Sequence, residues 1–239
     1  MNNQKMIIDE QKAYPLAEKR FVRTCGFDLS TEKHQRMMNL GLKVLEDGVS
    51  GIKIQAVTSF YGAEVWQDGK IIIDGIEVKC NYFEQIPKEA VEGIYFYMLS
   101  VGECHFSSEE NIMDFLYADI WGSSYVDAGI DLLKAELIAD MKERLGNDQE
   151  LYLSEEFGPG YFGMPVIESK KFFQILDGDS IDVWVKDSGL MIPQKTCAGL
   201  YIVLNTPEVK AEPECLRCHG NTAGCKFCKI KAEMEEERQ

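Results

Sequence analysis

The sequence predicts an α+β fold: a single domain with a mostly antiparallel twisted sheet and packed helices, followed by a small C-terminal metal-binding module. Three observations predict it. Runs of β-forming residues flank Asp-Gly turns, helical stripes occur without a regular strand–helix alternation, and four cysteines cluster near the end. We therefore expect an α+β domain over residues 1–206, the cysteine module over 207–232, and a charged tail over 233–239.

Apolar spacing predicts where the helices and strands lie. Helical spacing occurs in four segments: 28–47, from Pro87 to Gly102 with the stripe Val91, Ile94, Met98 and Val101, from a capping box at Ser107–Glu110 to Gly146, and 166–176. Strands are predicted at 52–58, around the turns Asp68-Gly69 and Asp74-Gly75, at 151–153, at 181–186 and at 197–204. Residues 1–26 show little pattern. Residues 154–165 hold three glycines and two prolines, which predict a loop.

Length, charge and composition narrow the class of protein. The 239 residues suffice for a core that needs no metal to hold it together. A formal net charge of −15 argues against nucleic acid and anionic membranes as partners, and no apolar run reaches the ~18 residues of a membrane span. The first residues lack a targeting pattern, so we expect a reducing cytoplasm. The sequence has no glycine-rich nucleotide-binding motif, which disfavours a nucleotide-driven enzyme.

The C-terminal cysteines carry the strongest chemical signal in the chain. Cys215 and Cys218 form one C-x-x-C pair, and Cys225 and Cys228 form a second one six residues later. Two such turns facing each other make a tetrahedral four-sulfur cage, which accepts zinc or an iron–sulfur cluster. Two disulfides or four unrelated thiols are the alternatives, although C-x-x-C disulfides would strain short loops. The remaining cysteines are scattered and expected to be free: Cys25, Cys80, Cys104 and Cys197.

Four segments between residues 119 and 204 carry a resemblance to a known family. They are Gly122-Ser-Ser-Tyr-Val-Asp127, Gly158-Pro-Gly-Tyr161, Asp187-Ser-Gly-Leu-Met-Ile-Pro193 and Cys197-Ala-Gly-Leu-Tyr201. In content, order and spacing they resemble the activation (reactivation) domain of cobalamin-dependent methionine synthase, and especially small stand-alone proteins that carry only that domain. The match covers roughly a third of the chain firmly, and the cysteine module is an addition to it.

The resemblance implies a function and a set of binding residues. The family's domain docks over a corrinoid-bearing domain while inactive Co(II) is reduced and S-adenosylmethionine supplies a trapping methyl group. It implies that Gly158, Gly160 and Tyr161 belong to the S-adenosylmethionine site. Tyr201 is implied to line the same cleft. Asp127 lies where the family has an acidic residue that contacts the ligand's amino group.

Two departures from the family shape the functional hypothesis. The family's loop carries an arginine shortly before Pro-Gly-Tyr, suited to grip the ligand's carboxylate. Here the residues are Ser154-Glu-Glu-Phe157, and Glu156 would repel that carboxylate, which argues against S-adenosylmethionine binding in the usual mode. The family's domain also lacks the four cysteines. A low-potential cluster at these cysteines would be the electron donor or relay, and this context favours 4Fe-4S over zinc.

The leading hypothesis is therefore reductive activation of a corrinoid protein in a methyltransferase system, in which an iron–sulfur cluster passes an electron to Co(II). One alternative is a non-catalytic docking or chaperone module for a corrinoid protein, with structural zinc. The other is an S-adenosylmethionine-dependent reactivation domain. A methyltransferase subunit is disfavoured because no convincing base or substrate zinc site occurs in the sequence.

Overall fold

The fold is built around an antiparallel sheet with long helices on one face. The computed structural model describes residues 2–48, 52–103, 111–146 and 150–209. The α-helices of these ranges are α1 (Glu10–Cys25), α2 (Glu32–Gly48), α3 (Ile112–Leu145) and α4 (Ser169–Ile175). Their strands are β1 (Gln4–Ile7), β2 (Gln55–Gly62), β3 (Trp66–Gln67), β4 (Lys70–Ile73), β5 (Ile76–Val78), β6 (Val91–Ser100), β7 (Tyr152–Leu153), β8 (Trp184–Val185), β9 (Met191–Ile192) and β10 (Thr196–Leu204).

The main sheet has five strands in the order β1-β2-β6-β10-β7, and every pair in it is antiparallel. β6 and β10 lie near its middle and pair from Ser100 opposite Thr196 to Val91 opposite Leu204. The short β7 forms one edge and β1 the other. Two small antiparallel sheets accompany it, β3-β4-β5 and β8-β9. The predicted α+β class with a mostly antiparallel sheet is confirmed.

Each face of the main sheet carries its own hydrophobic core. On one face, α1, α2 and α3 pack over β6 and β10, and Phe21 stacks on Trp121 with ring centroids 4.0 Å apart. On the other face, the β3-β5 meander and α4 bury Trp66, Phe96 and Phe172. Full burial of an aromatic side chain contributes on the order of 2–3 kcal/mol, so both layers hold the sheet in place.

The helix predicted from Pro87 to Gly102 is wrong. A 3-10 turn at Lys88–Ala90 leads directly into β6, the ten-residue strand Val91–Ser100. The apolar stripe that suggested a helix belongs to a strand that is buried on both faces, in which nearly every residue is apolar and no period can be read. The β-branched and aromatic residues of Glu-Gly-Ile-Tyr-Phe-Tyr favour the strand.

The N-terminal residues, which show little pattern, form β1 and α1. Asp9 caps α1, because its carboxylate accepts a hydrogen bond from the Gln11 amide at 2.9 Å. Gly26 ends the helix with a φ of +66°, in the left-handed region that favours glycine. These local start and stop signals mark a helix whose apolar stripe is weak, since only Ala13, Ala17 and Phe21 are buried.

Helix α3 is continuous over 34 residues. Its N-cap is Asn111, whose side chain accepts hydrogen bonds from the amides of Met113 and Asp114. The capping box expected at 107–110 lies outside the described residues. The small residues Gly122–Ser124 do not break the helix; beside them Trp121 donates a hydrogen bond to the Gly41 carbonyl of α2 at 2.9 Å. The small residues thus accompany a close helix–helix approach.

The remaining predictions are largely confirmed. The Asp-Gly meander forms β3, β4 and β5, with Gly69 and Gly75 at positive φ. The predicted strand at 181–186 shortens to β8, because a 3-10 turn occupies Gly178–Ile181. Within the described ranges, no helix is both long enough and apolar enough to cross a membrane. The cysteine module and the charged tail lie outside the described residues.

Candidate functional site

A polar cluster interrupts the apolar core where β10 meets the loop of residues 154–161. We call Tyr97, Glu156, Cys197 and Tyr201 the Glu156 cluster. Tyr97 lies on β6 directly opposite Gly199 of β10. A Cβ atom on Gly199 would lie 2.7 Å from the Tyr97 hydroxyl oxygen, so the missing side chain makes room for the phenol ring. The rings of Tyr97 and Tyr201 stack with centroids 5.7 Å apart.

The loop brings Glu156 to this pair because it runs along β10 as an additional strand-like segment. Phe157 and Leu200 exchange two backbone hydrogen bonds of 3.0 and 2.7 Å. The Tyr97 hydroxyl donates a hydrogen bond to Glu156 Oε1, and the Tyr201 side chain is also hydrogen-bonded to Glu156. The half-buried carboxylate thereby accepts hydrogen bonds from two phenol groups.

Both phenols remain protonated far into the alkaline range. Burial, followed by the negative charge of neighbouring acidic groups that include Glu156, raises the pKa of Tyr97 well above its ordinary value. The same causes raise the pKa of Tyr201. Ionising either phenol would place a second negative charge beside Glu156 in a poorly hydrated environment. The cluster therefore works as two hydrogen-bond donors facing one acceptor.

Cys197 is the fourth member of the cluster and lies on the face of β10 that also carries Tyr201. Its side chain is half-buried and its Sγ is 3.8 Å from the Leu99 carbonyl oxygen. Burial, followed by the charges of Glu156 and Asp127, raises the pKa of the thiol. A protonated thiol is a weak nucleophile, so Cys197 is a packing residue at neutral pH.

Helix α3 supplies the adjoining charged groups. Asp127 Oδ2 lies 3.8 Å from Arg20 Nε, and the same arginine forms a close ion pair with Asp131. One helical turn further on, the Lys134 ammonium lies 5.4 Å from the centre of the Tyr201 ring. Asp127, which the resemblance implies as a ligand residue, therefore pairs with a cation of α1, while its charge still reaches Cys197.

The glycines of the loop have local structural roles. Gly158 packs against β10 so closely that a Cβ atom there would lie 2.7 Å from the Ala198 carbonyl oxygen. Gly160 has a φ of +95° and its amide donates to the Met164 carbonyl at 2.8 Å, which closes a tight turn. Tyr161 stands in that turn with 59% of its surface exposed. The turn presents an accessible phenol ring beside a rigid strand.

Of the residues expected in the binding cleft, the structure joins Tyr201 to Glu156 and places Gly158 against the same strand. Their roles as ligand contacts stay predictions. Tyr97, Arg20 and Lys134 were missed. Tyr97 falls in the segment whose helix prediction is wrong, and only its register opposite Gly199 identifies it. The Arg20 contact depends on the packing of α1 against α3, and the Lys134 contact depends on the packing of α3 over β10. No local pattern encodes either packing.

The metal-site prediction falls on Cys215, Cys218, Cys225 and Cys228, all outside the described residues. Inside the described ranges, no group of three or more His, Cys, Asp or Glu side chains is arranged to hold a metal ion. Among the described residues, Cys25, Cys80 and Cys197 form no disulfide with one another. Cys104 also lies outside the described residues.

Comparisons with known proteins identify the fold. No family model matches the sequence, and no curated protein matches it. A crystal structure of the MetH reactivation domain bound to AdoHcy superposes with a TM-score of 0.64 at 12% sequence identity. The superposition covers 89% of this chain and 81% of that one. The chain therefore has the fold of the MetH reactivation domain.

Proposed function

We propose that this protein reactivates a corrinoid protein by reducing its inactive Co(II) form, within a corrinoid-dependent methyltransferase system. One observation carries the proposal: the chain shares its fold with the MetH reactivation domain over 89% of its length. The four sequence segments that resemble that family support it independently of the superposition, because they were matched by residue and spacing. Fold alone does not determine function, and the cysteine module and the Glu156 cluster are what this chain adds to the shared fold.

The electron carrier in this proposal is the cysteine module, which passes one electron to Co(II) and is then re-reduced by an external low-potential reductant. Cys215, Cys218, Cys225 and Cys228 provide four thiolates at a spacing that suits a 4Fe-4S cluster. Such a cluster, when bound, would supply low-potential electrons, with reduction potentials as low as roughly −700 mV. Zinc fits the same donor set but has no redox chemistry, and would make the protein a docking module.

The geometry of the Glu156 cluster supports a departure from the family's use of S-adenosylmethionine. In the loop region where the family carries an arginine, Glu156 is hydrogen-bonded to Tyr97 and Tyr201. A ligand carboxylate placed there would meet a like charge and two donors that are already used. We propose that the protein does not bind S-adenosylmethionine through its carboxylate, and that the exposed Tyr161 turn faces the corrinoid partner instead.

The reduction itself is tested with the anaerobically purified protein. It is mixed with a corrinoid protein held in the Co(II) state and supplied with a low-potential reductant such as dithionite or titanium(III) citrate. We expect the cobalt spectrum to change to Co(I) faster than with reductant alone. Cys218→Ser should abolish the acceleration, whereas Cys25→Ser, a free thiol of α1, should retain it. Equal rates with and without the protein would contradict the proposal.

The metal is identified by ultraviolet–visible spectroscopy and metal analysis of the same preparation. A brown absorbance that bleaches on reduction, with about four irons and four sulfides per chain, supports the redox function. A colourless protein with one zinc would contradict electron transfer and favour the docking module.

Calorimetry with S-adenosylmethionine tests the ligand proposal: we expect no binding by the natural protein and measurable binding by Glu156→Arg. Binding by the natural protein would contradict it.

A further inference from the structure

Most of the exposed large apolar side chains in the described part of the chain lie on three segments that are neighbours in the fold. In the described ranges twelve large apolar side chains are exposed, and eight of them fall on three segments, 111–121, 166–171 and 184–195. These eight residues, here called the apolar surface, are Ile112, Met113, Phe115, Leu116, Val166, Ile167, Trp184 and Leu190. Isolated exposed apolar residues are ordinary, but a contiguous patch of several hundred Å² marks an interaction site.

Contacts between the three segments make this surface continuous. Phe115 of α3 and Ile192 of β9 line the same cavity of about 210 Å³. Ile192 pairs with Trp184 across the β8-β9 hairpin. At the hairpin turn, Gly189 packs against the main chain of Ile167, since a Cβ atom on Gly189 would lie 3.0 Å from its Cα, and the Ser169 hydroxyl donates to the Gly189 carbonyl at 2.6 Å.

The charges within these segments cancel, unlike those of the whole chain. They contain four lysines and four carboxylates: Lys170, Lys171, Lys186, Lys195, Asp114, Asp119, Glu168 and Asp187. Six of these groups form ion pairs, Lys195–Asp119 at 2.6 Å, Lys171–Glu168 at 2.7 Å and Lys170–Asp187 at 3.3 Å. The chain as a whole has a net charge of −15, so its excess negative charge lies elsewhere.

We propose that the apolar surface is the interface of a symmetric homodimer. Two copies of so acidic a chain repel each other over most orientations, and this charge-balanced surface is where that repulsion is smallest. Eight exposed large side chains approach the roughly 800 Å² per partner that a stable interface requires. A two-fold axis brings the same patch of both copies together, so that Trp184 of each copy packs against the apolar surface of the other. This assembly is independent of the proposed corrinoid chemistry.

Analytical ultracentrifugation of the full chain, purified under anaerobic conditions, tests the dimer. We expect a species of twice 27.1 kDa that dissociates on dilution. Trp184→Glu should raise the dimer dissociation constant on the order of 100-fold, since charged groups in apolar interface centres abolish hot spots. Leu40→Glu, an equally exposed position on α2 outside the apolar surface, should leave it unchanged. Circular dichroism checks that both variants remain folded.

Tryptophan fluorescence provides a second measurement without any substitution. Trp66 and Trp121 are buried, so Trp184 is the exposed one of the three tryptophans. Acrylamide quenching should therefore increase as the natural protein is diluted through the dimer dissociation constant. A monomeric natural protein up to ~100 μM, or a dimer that Trp184→Glu leaves intact, would overturn the proposal.

Discussion

Two tyrosine–carboxylate pairs lie on the same face of β6, two residues apart, yet they differ in their charge balance. The Tyr95 hydroxyl donates to Asp140 at 2.6 Å, and Arg144 of the same helix donates to that carboxylate and lies 5.5 Å from the Phe60 ring centre. Tyr97 donates to Glu156, which in the described part of the chain forms no ion pair. In the first pair the Arg144 guanidinium balances the charge of Asp140. In the second pair the Glu156 carboxylate has hydrogen bonds from phenol groups and no ion-pair partner among the described residues.

The difference follows from where each carboxylate comes from. Asp140 and Arg144 are one turn apart on α3, so the helix itself supplies the countercharge. Although burial opposes it, hydrogen bonds from Arg144 and Tyr95 lower the pKa of Asp140. Glu156 comes from a glycine-rich loop that carries no cation beside it. The Asp140–Arg144 ion pair lies within one helix and stabilises it, whereas the loop carboxylate of Glu156 depends on phenols from two strands of the sheet.

The largest expected effect is steric and acts on the second pair. Gly199→Val should lower the free energy of unfolding by about 3 kcal/mol, because its Cβ would meet the Tyr97 hydroxyl at 2.7 Å and the Phe157 carbonyl at 3.0 Å. Cys197→Val, on the same face of the same strand, should cost less than ~1.5 kcal/mol. Urea unfolding monitored by circular dichroism measures both. Equal losses would show that Gly199 has no special packing role.

Alkaline pH should weaken the fold through the protonated phenols. Their folded pKa values are raised, so the stabilisation is complete below the ordinary tyrosine pKa of about 10 and is lost as the pH rises above it. Each such phenol steepens the fall by about 1.4 kcal/mol per pH unit. Tyr97→Phe should flatten the dependence between pH 10 and 11 by about that amount. An unchanged slope would contradict the protonated state of Tyr97.

Removing the charge of Asp140 and removing that of Glu156 should have different effects on stability. Asp140→Asn leaves Arg144 without its partner and should cost about 1 kcal/mol at pH 7. Glu156→Gln keeps a hydrogen-bond acceptor for both phenols and removes an uncompensated charge, so it should be neutral within ~0.5 kcal/mol. Because the pKa of Asp140 is lowered, its contribution is present above pH ~4 and is lost as the pH falls further. A larger loss for Glu156→Gln would reverse the comparison.

The smallest expected effect concerns the cation above Tyr201. Lys134→Met keeps the aliphatic stem but removes the ammonium 5.4 Å from the ring centre, and should cost about 0.5 kcal/mol. Lys142→Met, an exposed position on the same helix, serves as the matched control and should have no measurable effect. Thermal unfolding of the two variants side by side resolves the difference. Identical melting temperatures would show that the Lys134 ammonium does not stabilise the fold through the Tyr201 ring.

Local sequence signals predicted much of the fold. The Asp-Gly turns produced the β3-β5 meander, and Gly146 ends α3 as expected. These predictions succeeded because turn and cap residues act on the adjacent backbone alone. The strand β6 was missed for the opposite reason: both of its faces are buried, so its apolar residues show no strand period and match a helical stripe by coincidence.

The candidate site was predictable only in part. The glycines at 158 and 160 and the negative charge of Glu156 could be read from the loop residues, as could the position of Tyr201 on a strand. The partners of Glu156 could not, because Tyr97 comes from β6, about sixty positions earlier in the chain, and reaches the loop only through the pairing of β6 with β10. The side chain that meets a loop carboxylate is decided by strand register.

By itself, the sequence determined the antiparallel α+β class, the sharp turns, and the cysteine spacing that suits a four-sulfur site, since each depends on residues close together in the chain. Only the tertiary structure decided that β6 is a central strand, that Glu156 is held by two buried phenols, and that three segments carrying eight exposed apolar side chains lie next to one another. Those outcomes depend on contacts between residues distant in sequence, whose energies come from burial and packing and leave no local pattern.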